Sequence, residues 1–469
     1  MDFSWKIVID AGIISAALLL ATFLRAKLHF LQRLMVPNAL TAGFILLPIY
    51  NFLFPYLGYT VNKLGDLVYH LLNLSFIAMT LRANPKQKKK NDGAVLATTS
   101  VILSQYALQA LAGLLLSWLL FTTIMPKLNL AIGLTLPLGY SLGPGQAYAI
   151  GKGWEAIGFE GAGSVGLTMA ALGFLWACIV GVIMVNHGIK KGYLSKDLKT
   201  EDKALRTGII PEEKEKPISS RATTSLEAID PLSYHAALVA VTYFLSYLLL
   251  SLISFLLGLL GKTGTELANN LWGINFIFSA LTAMIVRKII VSLRIEHVID
   301  NDSLSRVSGF SVDYMVTGAL AAISLVFVSQ YWLPILLIGL VGGIITTATV
   351  PWLCSRIFYN SKYERMLMLY GVATGTLSTG LALLRIVDPE FKTRVSGDYM
   401  VSAGLTFALA IPFILSINLP VGANAANNFS PFWLMILVSS AYLLFSIISF
   451  LFVAKKNAFR NISQIWLKD

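Results

Sequence analysis

Apolar stretches about 20 residues long alternate with short polar segments along this chain, which is the pattern of a protein that crosses a lipid bilayer many times. The first half has five such stretches, at residues 7–24, 37–57, 64–81, 94–124 and 161–187. The second half has six, at residues 232–260, 267–285, 307–328, 333–353, 399–417 and 432–453. The pattern therefore predicts an all-α polytopic membrane protein.

Each half also contains an apolar segment that glycine and proline interrupt, at residues 130–151 and 366–382. The first holds four glycines and Pro144 within residues 139–151, and the second is rich in glycine and threonine within residues 371–380. Backbone outside a helix is tolerated at membrane depth only where protein or a water-filled cavity surrounds it. We therefore expect residues 139–151 to be unwound, and both breaks to be re-entrant segments that line a site.

The distribution of basic residues predicts the orientation. The net charge of +12 comes from lysines and arginines in short clusters between apolar runs, which is typical of membrane topology and argues against a nucleic-acid partner. With the amino terminus outside and the carboxyl terminus in the cytoplasm, only five of the 36 lie on the outer side: Lys6, Lys63, Lys127, Lys152 and Lys262. The first break must then enter from the outside and the second from the inside.

This topology divides the chain into two membrane repeats of opposite orientation. Residues 1–189 and 232–420 each have five spanning helices with one re-entrant segment, and the polar residues 190–231 form a cytoplasmic linker. Residues 431–469 add one transmembrane helix and a cytoplasmic tail. Inverted repeats with paired interrupted segments are typical of secondary transporters, whose binding site lies near the midplane.

The candidate substrate site consists of polar groups at the two breaks. Broken helices can hold an anion at their positive ends, while exposed carbonyls can hold Na⁺. We expect the Na⁺ ligands to be carbonyls near Gly143, Gly145, Gly375 and Thr376. Asn73 is a candidate for the cavity wall, and Arg385 is a candidate partner for a substrate carboxylate. The candidates at the breaks are Ser141, Gly143, Gly145, Gln146, Thr374, Gly375, Thr376, Ser378 and Thr379.

Each of these features also has a purely structural interpretation. The first break could be a proline-glycine kink that packs helices, and the hydroxyls of the second could bond between helices. Arg385 could be an ordinary basic residue at the inner surface, and Asn73, with Ser75, could bond a neighbouring helix. Cys178 and Cys354 lie in apolar runs and indicate small core side chains; neither they nor the dispersed histidines suggest a metal site, and no cofactor is predicted.

Three other functions remain open. A cation/proton antiporter needs an intramembrane acid; Asp313 and Asp398 are the candidates, although both lie near expected helix starts, where acids often cap. A membrane-embedded hydrolase could use Ser141, since residues 139–143 fit the Gly-x-Ser-x-Gly pattern, but that motif requires a strand before the serine. A sensor or scaffold could keep a transporter fold without transport.

The chain resembles the bacterial sodium:glutamate symporter family. The resemblance lies in residues 36–43 and 74–84 and in both breaks with the helices that follow them. Gly143, Gly145, Gly375 and Gly380 match the family pattern. Departures from it are Leu142, Pro144, Gln146, Thr376, Thr379, Arg385 and the extra carboxy-terminal helix.

The resemblance implies inverted five-helix halves, a cytoplasmic central loop, a glycine-rich re-entrant loop in each half and a homodimer. Together with the residues, it predicts Na⁺-coupled symport, by alternating access, of a glutamate-like acidic amino acid or another small organic anion. The expected location is the bacterial inner membrane. The expected partners are the lipid bilayer, the anionic substrate and Na⁺, and no enzymatic activity is expected.

Overall fold

The computed structural model describes residues 5–34, 36–57, 62–82, 93–194, 207–210, 212, 220–388, 392–423 and 428–467. These residues form helices and connecting turns, and no strand occurs among them. Residues 195–206, 211 and 213–219 of the predicted linker, together with Pro389 and residues 83–84 of the 74–84 segment, lie outside this part of the chain.

The first half begins with five helices, α1 to α5. After α5 the chain forms hairpin 1, defined as residues 130–155, and then a long helix that a π turn divides into α8 and α9. Their bounds are α1 Lys6–Lys27, α2 His29–Leu34, α3 Asn38–Pro48, α4 Asn62–Leu81, α5 Ala94–Thr123, α6 Thr135–Pro137, α7 Pro144–Glu155, α8 Ala162–Trp176 and α9 Val182–Lys191.

The described residues of the second half form ten further α-helices. Two of them, α16 and α17, form hairpin 2, defined as residues 362–387. The bounds are α10 Pro231–Gly258, α11 Lys262–Gly273, α12 Asn275–Ser292, α13 Asn301–Ala321, α14 Leu325–Gln330, α15 Trp332–Ile357, α16 Lys362–Ala373, α17 Leu377–Val387, α18 Val395–Ser416 and α19 Ser430–Ala454.

Ten helical segments of the described chain are long and apolar enough to cross a membrane, which confirms the prediction of an all-α polytopic membrane protein. The arms of the two hairpins are shorter, with 12 residues in α7 and 11 in α17. At 1.5 Å per residue, such arms reach about 18 Å, whereas the hydrocarbon core is about 30 Å thick. Each hairpin can therefore enter the membrane but cannot cross it with one arm.

The helix expected at residues 267–285 is wrong, because the chain breaks at Ile274. The segment before the break, α11, is too polar for hydrocarbon, and the membrane-length helix after it is α12. Gly273 lies at the break, where a Cβ atom would come 3.3 Å from the Ala149 carbonyl oxygen of α7.

The helix expected at residues 307–328 is also shifted. Here α13 begins at Asn301, where the Asp300 carboxylate accepts a hydrogen bond from the Ser303 amide, and it ends at Ala321. The Asn51 side chain stabilises the turn that follows α13, since it donates to the Ile323 carbonyl and accepts from the Leu325 amide.

The helices pack in two groups that each draw on both halves of the chain. The scaffold group consists of α1, α3, α4, α10, α12 and α13, with α4 packed along α13. The hairpin group consists of α5, hairpin 1, α8, α15, hairpin 2, α18 and the extra helix α19, which packs along α5. Contacts between the groups come largely from α7, which lies against α4 and α13 of the scaffold group. Helix α7 also lies against α11, which packs on α10.

Candidate functional site

Hairpin 1 leaves the helical conformation at a single residue. The Asn129 side chain accepts from the Ala131 amide, and the following turns end in a π turn at residues 138–142. Gly143 has φ 96° and ψ 175°, a conformation almost exclusive to glycine, and Pro144 then opens α7. The expectation that residues 139–151 are unwound is therefore wrong: helical turns lie on both sides of one glycine.

Hairpin 2 has a three-residue tip. Helix α16 ends at Ala373, residues 374–376 turn the chain, and α17 begins at Leu377. The two arms touch through glycines, because a Cβ on Gly371 would lie 2.7 Å from the Gly380 Cα. The Thr374 hydroxyl donates to the Tyr370 carbonyl, 2.7 Å away, and so turns back into its own helix.

The tips of the two hairpins touch each other. A Cβ atom on Gly143 would lie 2.8 Å from Thr376 Cγ2 and 3.6 Å from the Gly375 carbonyl oxygen. The structure thus brings together three of the predicted site residues: Gly143 lies against Gly375 and Thr376, although more than 230 positions separate it from them in the sequence. Gly145, the second residue of α7, instead packs against Leu72 and Met315 of the scaffold group.

Four helix ends meet where the tips touch. Helices α7 and α17 begin there, and the π turn of hairpin 1 and helix α16 end there. The first amides of a helix lack helical acceptors and its last carbonyls lack helical donors, so the starts carry partial positive charge and the ends partial negative charge. The tip contact therefore offers donors for an anion next to acceptors for a cation.

The bases of the two hairpins lie at opposite ends of α18. At one end, Arg365 at the base of hairpin 2 forms a buried ion pair with Asp398. Just beyond the other end, Asn418 accepts from the Trp154 indole of hairpin 1, and the Val421 carbonyl accepts from Asn129. The hairpins therefore approach each other from opposite ends of a helix about 33 Å long.

A buried glutamine that sequence reasoning missed joins both hairpins. Gln109 of α5 accepts a hydrogen bond from the Ser141 hydroxyl at 2.7 Å, and its Nε2 donates to the Ala373 carbonyl at 2.9 Å. The same nitrogen donates to the Thr346 hydroxyl of α15 at 3.0 Å. Its signal in the sequence is an uncharged polar residue in the middle of a long apolar helix, a position where polarity is costly without partners.

Two hydroxyls near the hairpin 2 tip have no hydrogen-bond partner in the described part of the chain. These are Thr376 Oγ1 and Thr379 Oγ1, and the Thr379 side chain is only 3% exposed. Thr379 Oγ1 points toward the tip, because it would lie 2.7 Å from a Cβ on Gly375. Of the neighbouring candidates, Ser378 is exposed and Gln146 is buried.

Two predicted site residues lie away from the tips. The Asn73 amide donates to the Tyr69 carbonyl and accepts from Ser279, which belongs to a buried polar cluster with Ser246 and Asn275 between α4, α10 and α12. Arg385 is exposed in the last turn of α17, about 12 Å along the helix from the tip. Their predicted roles in binding substrate stay predictions.

The intramembrane acids are placed differently from the expectation. Asp398 lies in the first turn of α18, but its carboxylate pairs with Arg365, and the cap position is Arg394. Asp313 is not near a helix start, since α13 begins 12 residues earlier, and it is exposed. Asp388 is buried and accepts from the backbone amides of Lys392 and Thr393, so it joins the end of hairpin 2 to the segment before α18.

The geometry at Ser141 does not suit a nucleophile. Its hydroxyl donates to the amide oxygen of Gln109 and lies 3.3 Å from the Ala373 carbonyl. Neither oxygen is a base that could take its proton, whereas an activated serine bonds a basic side chain. The π turn that carries Ser141 also differs from the strand-to-helix turn of a nucleophile elbow.

The fold and the paired hairpins define a multi-pass membrane protein with the architecture of a secondary transporter. A sequence model described as sodium/glutamate symporter matches residues 5–377, and the chain belongs to that family. No curated protein and no solved structure shows significant similarity to the chain. Membership supports sodium/glutamate symport in general, with Na⁺ as the coupling ion. The match ends at the first residue of α17, so α18 and the extra helix lie beyond it.

Proposed function

We propose that this protein carries an acidic amino acid such as glutamate, or another small organic anion, across the membrane together with Na⁺ by alternating access. The observation that supports this function most directly is the contact between the two hairpin tips at Gly143 and Thr376. It gathers two helix starts and two helix ends into one buried place, which is the arrangement that transporters use to hold a charged substrate and its coupling ion.

The substrate carboxylate would bind at the starts of α7 and α17. Their first amides have no helical acceptors, and a helix start favours an anion by about 0.3–1 kcal/mol, or more where it is partly buried. The hydroxyls of Thr376 and Thr379 lie at the same place and have no partner within the described residues, so a carboxylate oxygen would satisfy them. Gln146 and Ser378 are in the first turns of the same helices and would complete the donor set.

Na⁺ would bind as a co-substrate at carbonyl oxygens beside the tips. The Gly375 carbonyl faces Gly143, and we expect the carbonyls of Gly143, Gly145 and Thr376 to contribute. Carbonyl and hydroxyl oxygens suit a hard cation, and the helix ends add partial negative charge. Na⁺ beside the carboxylate would lessen the cost of burying the negative charge, which is a physical reason for coupling the two.

Transport would arise from motion of the hairpin group against the scaffold group. Each group takes its members from both halves, as expected for inverted repeats, and α7 supplies most of the contact between them. Gly65 of α4 lies directly against the Tyr148 hydroxyl of α7, so this boundary is close-packed but narrow. In this proposal the protein is a homodimer in the bacterial inner membrane, with the amino terminus outside and the carboxyl terminus in the cytoplasm.

Uptake into proteoliposomes tests this function. The purified protein, reconstituted with an inward Na⁺ gradient, should accumulate radiolabelled L-glutamate, and choline in place of Na⁺ should abolish accumulation. Equal uptake in choline would contradict the Na⁺ coupling. If L-glutamate is not taken up, a thermal-stability screen of small organic anions with and without Na⁺ identifies the substrate, because a ligand stabilises the state that binds it.

A further inference from the structure

We infer that Gln109 is a positioning residue that couples the two hairpins, so that a change at one tip is transmitted to the other. The side chain is fully buried in the middle of α5. It bonds a group of hairpin 1 and a group of hairpin 2, and each of these groups lies within two residues of the point where its hairpin leaves the helix. The inference concerns the same site as the proposed function, and its transport readout rests on that function.

The Gln109 side chain uses its amide oxygen as an acceptor for one hairpin and its amide nitrogen as a donor to the other. Its oxygen accepts from Ser141, which lies in the π turn directly before the break at Gly143. Its nitrogen donates to the carbonyl of Ala373, the last residue of α16. A carbonyl at a helix end has no helical donor, so this bond satisfies a buried acceptor. Moving either hairpin at its tip must therefore break or strain a bond to the same amide.

Gln105, one turn earlier on α5, provides a matched control. It is also buried, and it exchanges hydrogen bonds with the Thr349 hydroxyl of α15 at 3.1 and 3.2 Å. Both glutamines thus donate a hydrogen bond to a threonine hydroxyl of α15, Gln105 to Thr349 and Gln109 to Thr346. Only Gln109 has hydrogen bonds to the hairpins as well, and this difference isolates the coupling from the packing of α5 on α15.

Hydrogen exchange measures the coupling without any substrate. In Gln109→Leu, the amides of both tips, in peptides covering residues 138–146 and 370–380, should exchange about tenfold faster than in the unmodified protein, because each hairpin loses one buried hydrogen bond. In Gln105→Leu the exchange of both tips should stay within about twofold. A response in one hairpin only, in neither, or equally in the two variants would overturn the inference.

A titratable replacement gives a second measurement that a merely structural role would not produce. In Gln109→Glu, a protonated carboxyl can donate to the Ala373 carbonyl, whereas an ionised one cannot and repels it. Exchange at the hairpin 2 tip, corrected for the intrinsic rate, should therefore rise from pH 5.5 to pH 8. The coupling should transmit this rise to the hairpin 1 tip, although the Ser141 hydroxyl can bond the carboxyl group in either form. Gln105→Glu should show no such rise, since the hydroxyls of Thr349 and Ser104 can donate to a carboxylate.

The titratable side chains near Gln109 and its hairpin partners do not contribute to the pH dependence of hydrogen exchange between pH 5.5 and pH 8. Tyr106 of α5 lines the same small cavity as Ser141 and Ala373. Tyr140 directly precedes Ser141 in hairpin 1, and Tyr370 lies three residues before Ala373 in hairpin 2. All three are phenols, and an ordinary phenol has a pKa of about 10, so they remain protonated from pH 5.5 to 8. A pH-independent exchange pattern in Gln109→Glu would argue against the coupling.

The transport readout is uptake of L-glutamate by Gln109→Glu, which should fall relative to the unmodified protein over the same pH range, while uptake by Gln105→Glu should follow the unmodified protein. The proposed function and the coupling by Gln109 can be rejected independently of each other. If the unmodified protein takes up no L-glutamate, the proposed substrate is wrong, and the exchange measurements still decide the role of Gln109. If the unmodified protein transports and the exchange of neither tip responds, the coupling is wrong and the proposed function stands.

Discussion

Gly143 in hairpin 1 lies so close to Thr376 in hairpin 2 that a Cβ atom on the glycine would come 2.8 Å from the threonine Cγ2. Real Cβ atoms essentially never approach a carbon so closely, so one tip must move if Gly143 gains a side chain. Two helices therefore start side by side only because one residue has no side chain.

Gly143→Ala should lower both the thermal stability and the transport rate. The backbone conformation at Gly143 is costly for alanine, by about 1–3 kcal/mol, and the added methyl meets Thr376. Thr376→Ser, which removes Cγ2, should recover part of the loss in a double variant. Gly153→Ala, inside α7, is the control. Apart from its own helix backbone, no atom of the described residues lies within 4 Å of the Cβ position, so this variant should leave both measurements unchanged or slightly raised. Equal losses in the two variants would contradict this explanation.

Thr379→Val should change ligand binding and stability in opposite directions. Its hydroxyl is buried and has no partner among the described residues, so removing it should leave the thermal stability of the free protein unchanged or slightly higher. If the hydroxyl donates to a carboxylate, the affinity for L-glutamate should fall about tenfold.

Thr406→Val in α18 is the control for that substitution. It also removes a buried hydroxyl that has no partner in the part of the chain that the structure describes, but this hydroxyl belongs to another helix. It should leave the affinity unchanged. An equal loss of affinity in both variants would show that the hydroxyl at Thr379 has no specific role.

A cross-link between α4 and α7 should stop transport if the hairpin group moves against the scaffold group. Cysteines in place of Gly65 and Tyr148 suit this test, because the tyrosine that fills the space beside Gly65 is removed at the same time. Joining them with a short bifunctional thiosulfonate should abolish uptake, and a reducing agent should restore it. Two controls treated in the same way should keep their activity: Tyr148→Cys alone, and Gly65→Cys combined with Tyr148→Ala, because a Cβ atom at Gly65 would clash with the tyrosine ring. Uptake that persists when cross-linking is complete would mean that these two helices do not move apart.

Arg356→Met should release the carboxy-terminal tail. The Arg356 side chain is fully buried, and its guanidinium donates to the carbonyls of Arg460, Asn461 and Gln464. Hydrogen bonds from a charged donor contribute about 1.5–3 kcal/mol each, so their loss should free the segment. Trypsin should then cut after Arg460 faster than in the unmodified protein, as mass spectrometry of the intact chain would record. Unchanged cleavage would show that other contacts hold the tail, such as Trp466 against Tyr363.

The membrane helices and the two breaks could be predicted from the sequence, because hydrocarbon demands about 20 apolar residues and glycine with proline interrupts them visibly. The helix expected at residues 267–285 failed because an apolar average hides the polar segment before Gly273. Gln109 could not be identified as a linking residue. Its partners Ser141, Thr346 and Ala373 lie 32, 237 and 264 positions away, and no local pattern relates them.

The single-residue break was missed for a related reason. A run of glycines predicts that at least one of them leaves the helical conformation, but it does not say which. Gly143 is the one that meets Thr376 of the other hairpin. Gly139 and Gly151 remain helical, and the backbone of other segments packs against them. Asn73 is a different case: its polarity indicated that it has a partner, and the structure gives one, Ser279 on a neighbouring scaffold helix, which no local pattern could identify.

Helix α18 joins Asp398, at the base of hairpin 2, to the segment with Asn418, at the base of hairpin 1. The number of residues in a helix sets its length, so α18 fixes the spacing between the two bases. Each hairpin is then anchored at its base, and its tip meets the tip of the other hairpin. Any widening of the site for a larger substrate must therefore come from the tips, and shortening or lengthening α18 by one turn would change their overlap by about 5 Å.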